Sequence, residues 1–469
     1  MIPLSSAGNV TIDNTTSIQN AVNNANGSGD TIFLKPGTYY ESGIHIDKNI
    51  TLQGLGTPDQ IIIDGQYKNT IMLINSVSQV KFFNLTFIHG NSPDYGGAIH
   101  SELGGQIYVD SCDFIDNYAA TNGGAIDIAG EQHNEKRILV TNFGYLKATN
   151  CNFINNEVGH DGGAIATYWG NSYVYNSYFT KNYAKRDGGA IRVGVYSTTL
   201  TENCIFDNNT AKEWGGALYN WPGQLNVNNC TISNNYAGEQ GGAMITSGGL
   251  TVRNSLIVNN TGVSRGGVLV ISEELPQIPS TVIFENNFIS GNKAMNGSLV
   301  YVEETTSTLT NFNKNYWDVD PNSAEWQDAF ITNNLINNPT EFLNNEENSN
   351  PVNPAPVEEN TEQPEQTNTT ETSENSQNGE ITEPSENIIN NRNALSNSTN
   401  AVNSNVGSNN EAINSQASQS SSSEKKTAHE IVKKGVNKQT MQSPLVYVAV
   451  ILILLIILGY GYYRHNKND

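Results

Sequence analysis

The best local cluster of ionisable side chains for chemistry on neighbouring repeats is His160, Asp161, Lys185, Arg186 and Asp187. Two carboxylates flanking a glycosidic bond can serve as acid and base, or as acid and nucleophile. An acidic cluster can also hold calcium while an arginine or lysine takes a proton. Asp161 and Asp187 occupy equivalent positions in successive repeats, in a column that reads Tyr95, Asn122, Asp161, Asp187, Trp214, Gln240 and Arg265. A column that varied is what a solvated bend tolerates. The chain contains no Asp-Asp dipeptide, and the Gly-His-Gly and Arg-x-Lys patterns of β-helical galacturonases are missing from it. The expectation is therefore no catalytic residue, no cofactor and no metal site.

Aromatic residues offer a second kind of chemistry. Strand parity places Tyr168 and Tyr219 toward solvent, with Trp169 and Trp221 at the bends that follow and Trp214 nearby. Rings along one edge can stack on sugars or anchor a protein partner, so these five are the candidate ligand-binding residues. The competing reading is that they cover the edge of the molecule.

The elements that position these residues follow from a repeat. Glycine pairs recur at Gly96-Gly97, Gly123-Gly124, Gly162-Gly163, Gly188-Gly189, Gly215-Gly216, Gly241-Gly242 and Gly266-Gly267. Their period is roughly 26 residues, in the range of stacked architectures. Ten residues before each second glycine stands Phe87, Phe114, Phe153, Phe179, Phe206, Ile232 or Ile257. After each pair comes an alternating run such as Ala190-Ile191-Arg192-Val193, which predicts a short strand with Ile191 and Val193 on one face and Arg192 on the other. Three such strands and their bends make one coil of a parallel β-helix. Stacking aligns an apolar ladder of Ile99, Ile126, Ile165, Ile191, Leu218, Met244, Leu269 and Leu299. It also aligns an asparagine ladder of Asn117, Asn156, Asn182, Asn209, Asn235, Asn260 and Asn292. Cys112, Cys151, Cys204 and Cys230 share a column with Ser177 and Ser255, which reads as buried thiols acting as small apolar groups rather than as disulfides or zinc ligands. Ile18, Ala21, Val22 and Ala25 follow the capping candidates Thr16 and Ser17 at helical spacing, predicting a short helix over the open end of the first coil. The longer interval between Gly124 and Gly163, with Glu131 to Arg137 inside it, predicts a loop thrown out over 130–141.

The Gly-Asp-Thr-Ile-Phe-Leu run at 29–34 and the Phe-x-x-Asn and Gly-Gly-Ala-Ile repeats resemble the pectin-lyase-like β-helix of adhesin-like surface proteins from methanogenic archaea. The repeat is also similar to that of chlamydial polymorphic outer membrane proteins, whose closing barrel has no counterpart in the ending of this chain. The resemblance covers about 15–320. It implies an all-β, right-handed parallel β-helix and a surface location, while that fold hosts lyases, hydrolases, adhesins and passive stalks.

The full division expected is a segment with the cap helix over 1–27, the β-helix over 28–320, a transition over 321–337, and a disordered Asn/Ser/Thr/Glu/Pro-rich stalk over 338–444. A transmembrane helix over 445–463 and a short tail over 464–469 complete it. Five lysines before the span against Arg464 and Lys467 after it would by count put the large N-terminal part inside. The six-residue tail, the sequons at Asn9, Asn49 and Asn84 and the external look-alikes outweigh that count and put it outside. Met1 to Gly8 carries no secretory signal pattern, so a surface location implies one upstream. A net charge of −22 argues against nucleic acid as a partner. The expected role is recognition of glycan or protein on another cell, from a membrane-anchored stalk. A membrane-anchored polysaccharide lyase or glycoside hydrolase is the alternative, and a passive envelope stalk the third reading.

Overall fold

The computed structural model describes residues 8–319, apart from 135–137, 273–280, 296 and 304–308, together with 330–331. All of these lie in one unit of the chain, Met1–Glu359. The expected stalk and membrane helix fall outside the described residues. Among the described residues no helix is long and apolar enough to cross a membrane.

Each coil has four sides rather than the three that the strand pattern suggests. From Ile99–Glu102 the chain runs to Gln106–Asp110, then Asp113–Ile115, then the two-residue strand Tyr118–Ala119, and returns through Gly123-Gly124 to Ile126–Ala129. Successive coils pair in parallel, which builds four sheets. Sheet 1 holds the Gln106–Asp110 type in 12 strands, sheet 2 the Asp113–Ile115 type in 11, sheet 3 the Tyr118–Ala119 type in 8 and sheet 4 the Ile99–Glu102 type in 11. The fourth side escapes the alternation rule because two residues are too few to show a period. Sheet 1 opens with Asn9–Ile12, paired to Thr31–Leu34, so the first strand precedes the helix.

The helix α1, Ile18–Asn24, buries Ile18, Ala21 and Val22, and Ser17 is its N-cap. Its first amides are also bound from a distance: the Glu41 carboxylate accepts from Ile18 N–H at 2.7 Å and Gln19 N–H at 2.9 Å. A carboxylate there suits the positive end of the helix. The inserted segment is an antiparallel hairpin of Glu131–Asn134 and Ile138–Asn142, rather than a loop.

Inward positions form ladders. Phe87, Phe114, Phe153, Phe179 and Phe206 stack with centroids 4.6–5.1 Å apart, contacts worth about 0.5–1.5 kcal/mol each beyond their burial. In the apolar ladder the residue after Leu269 is Val300, not Leu299, and Val300 pairs onward with Phe330. In the asparagine ladder Asn209 shows the pattern. Its Oδ1 accepts from Asn182 N–H at 3.1 Å and Asn182 Nδ2–H at 2.9 Å, and its own amide donates to Phe179 O and Asn235 Oδ1 at 3.0 Å each. Every polar atom of a fully buried amide is thereby bonded, which removes the cost of burying it.

The cysteine column works by the same logic. Cys151 N–H donates to Ser177 Oγ at 3.1 Å, Cys204 N–H to Cys230 Sγ at 3.4 Å, and Ser255 N–H to Asn287 Oδ1 at 2.9 Å. The position thus requires a small acceptor, and Asn287 and Asn315 fill it in the last coils. All four cysteines are free and buried, and burial pushes the Cys151 thiol up to about 12. The glycine pairs divide two tasks. The first glycine holds positive φ, as at Gly188 (+66°), and a Cβ on the second would meet the next coil's carbonyl, at 2.1 Å for Gly189.

Candidate functional site

The outward face of sheet 4 brings the sequence candidates together. Register places Leu73, His100, Asp127, Ala166, Arg192, Tyr219, Ile245, Val270 and Tyr301 in one outward column. The bend column of Asn122, Asp161, Asp187, Trp214 and Gln240 runs alongside. Outward residues of a rod should meet water, yet Arg192 is 1% exposed, Asp161 1% and Asp187 2%. The solvated bend expected for Asp161 and Asp187 is therefore a buried ion-pair site, because outward side chains from neighbouring coils cover one another.

Arg192 is the centre of this site. Its guanidinium lies 3.9 Å from the Tyr168 ring centroid and 5.8 Å from that of Trp221. Its Nε is 3.1 Å from Asp161 Oδ2. Gly194 makes room for the aromatic partner, since a Cβ there would sit 2.8 Å from the Tyr168 ring. Arg186 grips the same carboxylate from outside, with Nε to Oδ1 at 2.9 Å and Nη2 to Oδ2 at 2.8 Å, and its Nε is 3.4 Å from Asp187 Oδ2. Arg186 thus binds both oxygens of Asp161, while Arg192 Nε stands at ion-pair distance from one of them without a hydrogen bond. Asp187 differs. Burial, and then the Asp161 charge beside it, push its carboxyl well above the usual carboxylate range. Its Oδ1 has no hydrogen-bond partner, and neither has Arg192 Nη1.

Of the five ionisable candidates, Asp161, Arg186 and Asp187 meet. Lys185 instead pairs with Glu157 at 2.8 Å and lies over the Tyr118 ring, and His160 is exposed. Arg192 was legible only as an outward residue of its strand. The available signal was an arginine in a column that also holds His100 and Asp127 and turns apolar after Tyr219.

The aromatic candidates divide as well. Tyr168, Trp169, Trp214 and Trp221 are half-buried. Tyr219 points away from the barrel as parity requires, but is 5% exposed rather than facing solvent. It packs with Ile245 and Val270 in an apolar cluster outside the barrel, against Trp214 and Trp221. Trp214 Nε1 donates to Glu239 Oε2 at 3.0 Å. Three of the five therefore share one packed patch, while Trp169 stands at the bend between sheets 4 and 1.

That bend carries a ridge the sequence reading missed. One large apolar residue projects from it in each of six successive coils: Val77 (59% exposed), Leu103 (41%), Phe143 (49%), Trp169, Tyr196 (52%) and Trp221. Their spacing in sequence is irregular, because the bend varies in length and the hairpin interrupts it.

Three coils before Arg192, His100 bridges two acids, with Nε2 2.8 Å from Glu102 and Nδ1 3.2 Å from Asp127. Burial works to lower its pKa, but the contacts with Asp127 and Glu102 outweigh this and push it up to about 9. Among the described residues no group of three or more His, Cys, Asp or Glu side chains is placed to hold a metal ion.

Residues 136–315 match the family model of the right-handed β-helix region, which gives the solenoid its hand. No curated protein sequence matches the chain. Among solved structures, the chain is similar to the Azotobacter vinelandii mannuronan C-5 epimerase AlgE6 A-module, at 12% identity and TM-score 0.34 over 64% of this chain and 95% of that one. It is similar to a family 6 polysaccharide lyase, Pedsa3628 from Pseudopedobacter saltans, at 14% identity and TM-score 0.34 over 72% and 98%. A GH87 α-1,3-glucanase from Streptomyces thermodiastaticus gives 16% identity and TM-score 0.28 over 67% and 70%. These likenesses are too weak to bear on activity.

Proposed function

We propose that this chain is an adhesin-like recognition protein of a cell surface, binding glycan or protein of another cell along one side of its β-helix without altering it. The observation that supports this reading is the bend ridge. Exposed apolar residues scattered singly over a surface need no explanation, but here four exposed residues, Val77, Leu103, Phe143 and Tyr196, and the half-buried Trp169 and Trp221 occupy the same bend in six successive coils. A line of weak contacts suits a ligand that lies along the rod, and many rods on one surface would multiply its strength. On this reading 338–444 spaces the rod from the membrane, and 445–463 anchors it with the N-terminal part outside.

Phe143→Ala with Tyr196→Ala tests it, because both side chains stand in solvent and neither packs against the Arg192 site. Attachment of cells displaying the full chain should fall several-fold with the melting temperature unchanged. Unchanged attachment would sink the reading. Trp221→Ala is the poorer test, since Trp221 also covers Arg192 and Tyr219.

The alternative, a membrane-anchored polysaccharide lyase or glycoside hydrolase, is favoured by Asp187, a buried carboxyl with raised pKa and a free oxygen beside two arginines. Release of unsaturated or reducing sugars from acidic polysaccharides, abolished by Asp187→Asn, would establish it.

A further inference from the structure

Sheet 1 presents a second surface, which does not depend on the bend ridge or on sheet 4. Its central outward column reads Lys81, Tyr108, Lys147 and Tyr173 over four successive coils. Cation and ring alternate at one residue per coil. Tyr145 and Tyr175 stand in the outward columns on either side and widen the strip. The rings form a continuous surface, with Tyr108 and Tyr145 centroids 5.3 Å apart and Tyr145 and Tyr173 5.5 Å apart. Lys81 Nζ lies 5.7 Å from the Tyr108 centroid and Lys147 Nζ 5.8 Å from that of Tyr175, within reach of the negative ring faces.

The pairing of charge with rings is what sets this strip apart. The chain carries a net −22, and Lys185, Arg253 and Arg186 are each held by an acid, Glu157, Glu285 and Asp161, whereas the two lysines of this strip stand over tyrosine rings. Among the described residues neither Lys81 nor Lys147 has an ion-pair partner. Asp110 and Glu202, in the next outward column, accept from Ser111 and Asn228. The four tyrosines and Lys81 are partly exposed and Lys147 is exposed, so the strip is open to a ligand.

We propose that this face of sheet 1 binds a linear polysaccharide carrying one acidic group per disaccharide, laid along the rod axis. Strands stack about 4.8 Å apart, so cations on alternate coils stand about 10 Å apart. That is the length of two sugar rings in an extended chain. Acidic sugars then meet Lys81 and Lys147, and the intervening sugars lie on Tyr108 and Tyr173. Stacking supplies a sequence-tolerant contact and the lysines supply the requirement for charge. A neutral glycan satisfies only the first.

Titration of the full chain in detergent with a hyaluronan octasaccharide, which bears a carboxylate on alternate sugars, tests this directly against the uncharged chitin octasaccharide. Hyaluronan should bind, and chitin about tenfold more weakly or not at all. Lys81→Gln and Lys147→Gln should each weaken hyaluronan binding roughly fivefold at low salt, and the effect should shrink as salt is raised. Tyr173→Ala should weaken both sugars alike. Phe143→Ala with Tyr196→Ala should leave hyaluronan binding unchanged, so that failure of the ridge and failure of this strip are told apart. Equal affinity for the neutral sugar, indifference to both lysines, no hyaluronan binding at millimolar concentration, or concentration-dependent self-association blocked by Lys147→Gln would each overturn the proposal.

Discussion

The inside of the barrel and the outward face of sheet 4 are equally buried, but they are built on opposite principles. Inside, one residue type repeats: Phe on Phe, Asn on Asn, and each column closes its own bonds one coil to the next. Outside, His100, Asp127, Arg192 and Tyr219 follow one another in a single column, and none satisfies its neighbour by repetition. His100 and Asp127 pair within the column as unlike neighbours, and Arg192 finds its partners Asp161, Tyr168 and Trp221 in other columns. Burial alone therefore does not separate framework from site in a solenoid. Departure from the ladder does.

The sharpest break of this contrast is a charge inside. Ile191→Asp puts an unpaired carboxylate into the inner ladder, where the cost exceeds several kcal/mol, and the rod should lose its cooperative melt by circular dichroism. A normal melt would mean that the register is wrong. Outside, Asp161→Ala should cost about 3–5 kcal/mol, because it strands the buried Arg192 charge. Arg192→Met in that background should return part of the loss, whereas no inner-ladder variant should be rescued by a change in another column.

Next in size, Asn209→Ala should cost about 3 kcal/mol in denaturant melts, since it unpairs Asn182 N–H and Phe179 O in the interior. The His100 cluster should give a comparable but pH-dependent term. Its pKa is raised in the folded state, to about 9 from about 6.5, so the stabilisation is whole below pH 6.5, declines as pH rises and is gone above about 9. Stability should fall by about 3 kcal/mol from pH 6 to 9.5, and His100→Gln should flatten that slope. The smallest effect is expected from Asn203→Ala, in an exposed ladder that hydrogen-bonds along the surface, at about 1 kcal/mol and mostly from its φ of 55°, which Ala adopts less readily. If Asn203 and Asn209 cost the same, burial is not what makes the ladder.

Much of the framework was legible. The Phe column, the Asn column, the outward bend column and the helix at Ile18–Asn24 all stand where spacing put them. A fourth strand of two residues was not legible, being below the length at which alternation exists. Nor was Val300 as the ladder's member after Leu269, because that repeat is longer than the others and breaks the count. The ladders of Asn150, Asn176, Asn203 and Asn229 were hidden in an Asn-rich chain, although their φ values of 49–55° give them a plain reason to be Asn. The site was legible by residue and not by environment. Asp161 and Asp187 were located correctly in one column and judged solvated, and Tyr219 was aimed correctly and judged exposed.

That pattern has a physical cause. Stacking in register repeats the same environment at each coil, so residue identities at a fixed period specify the coil, its inward face and its ladders without further information. Outward burial depends on which side chains from neighbouring columns and bends are long enough to reach over the sheet. Arg192 lies beneath Tyr168 and Trp221 because Gly194 leaves a space between them, and Asp187 is dry because Arg186 folds back over it. Lys81 and Tyr108 become one strip only when coils from separate repeats stack. Those are distances between columns, and no spacing along one chain encodes them; the tertiary structure alone decided which outward residues are framework, which are site and which remain open to a partner.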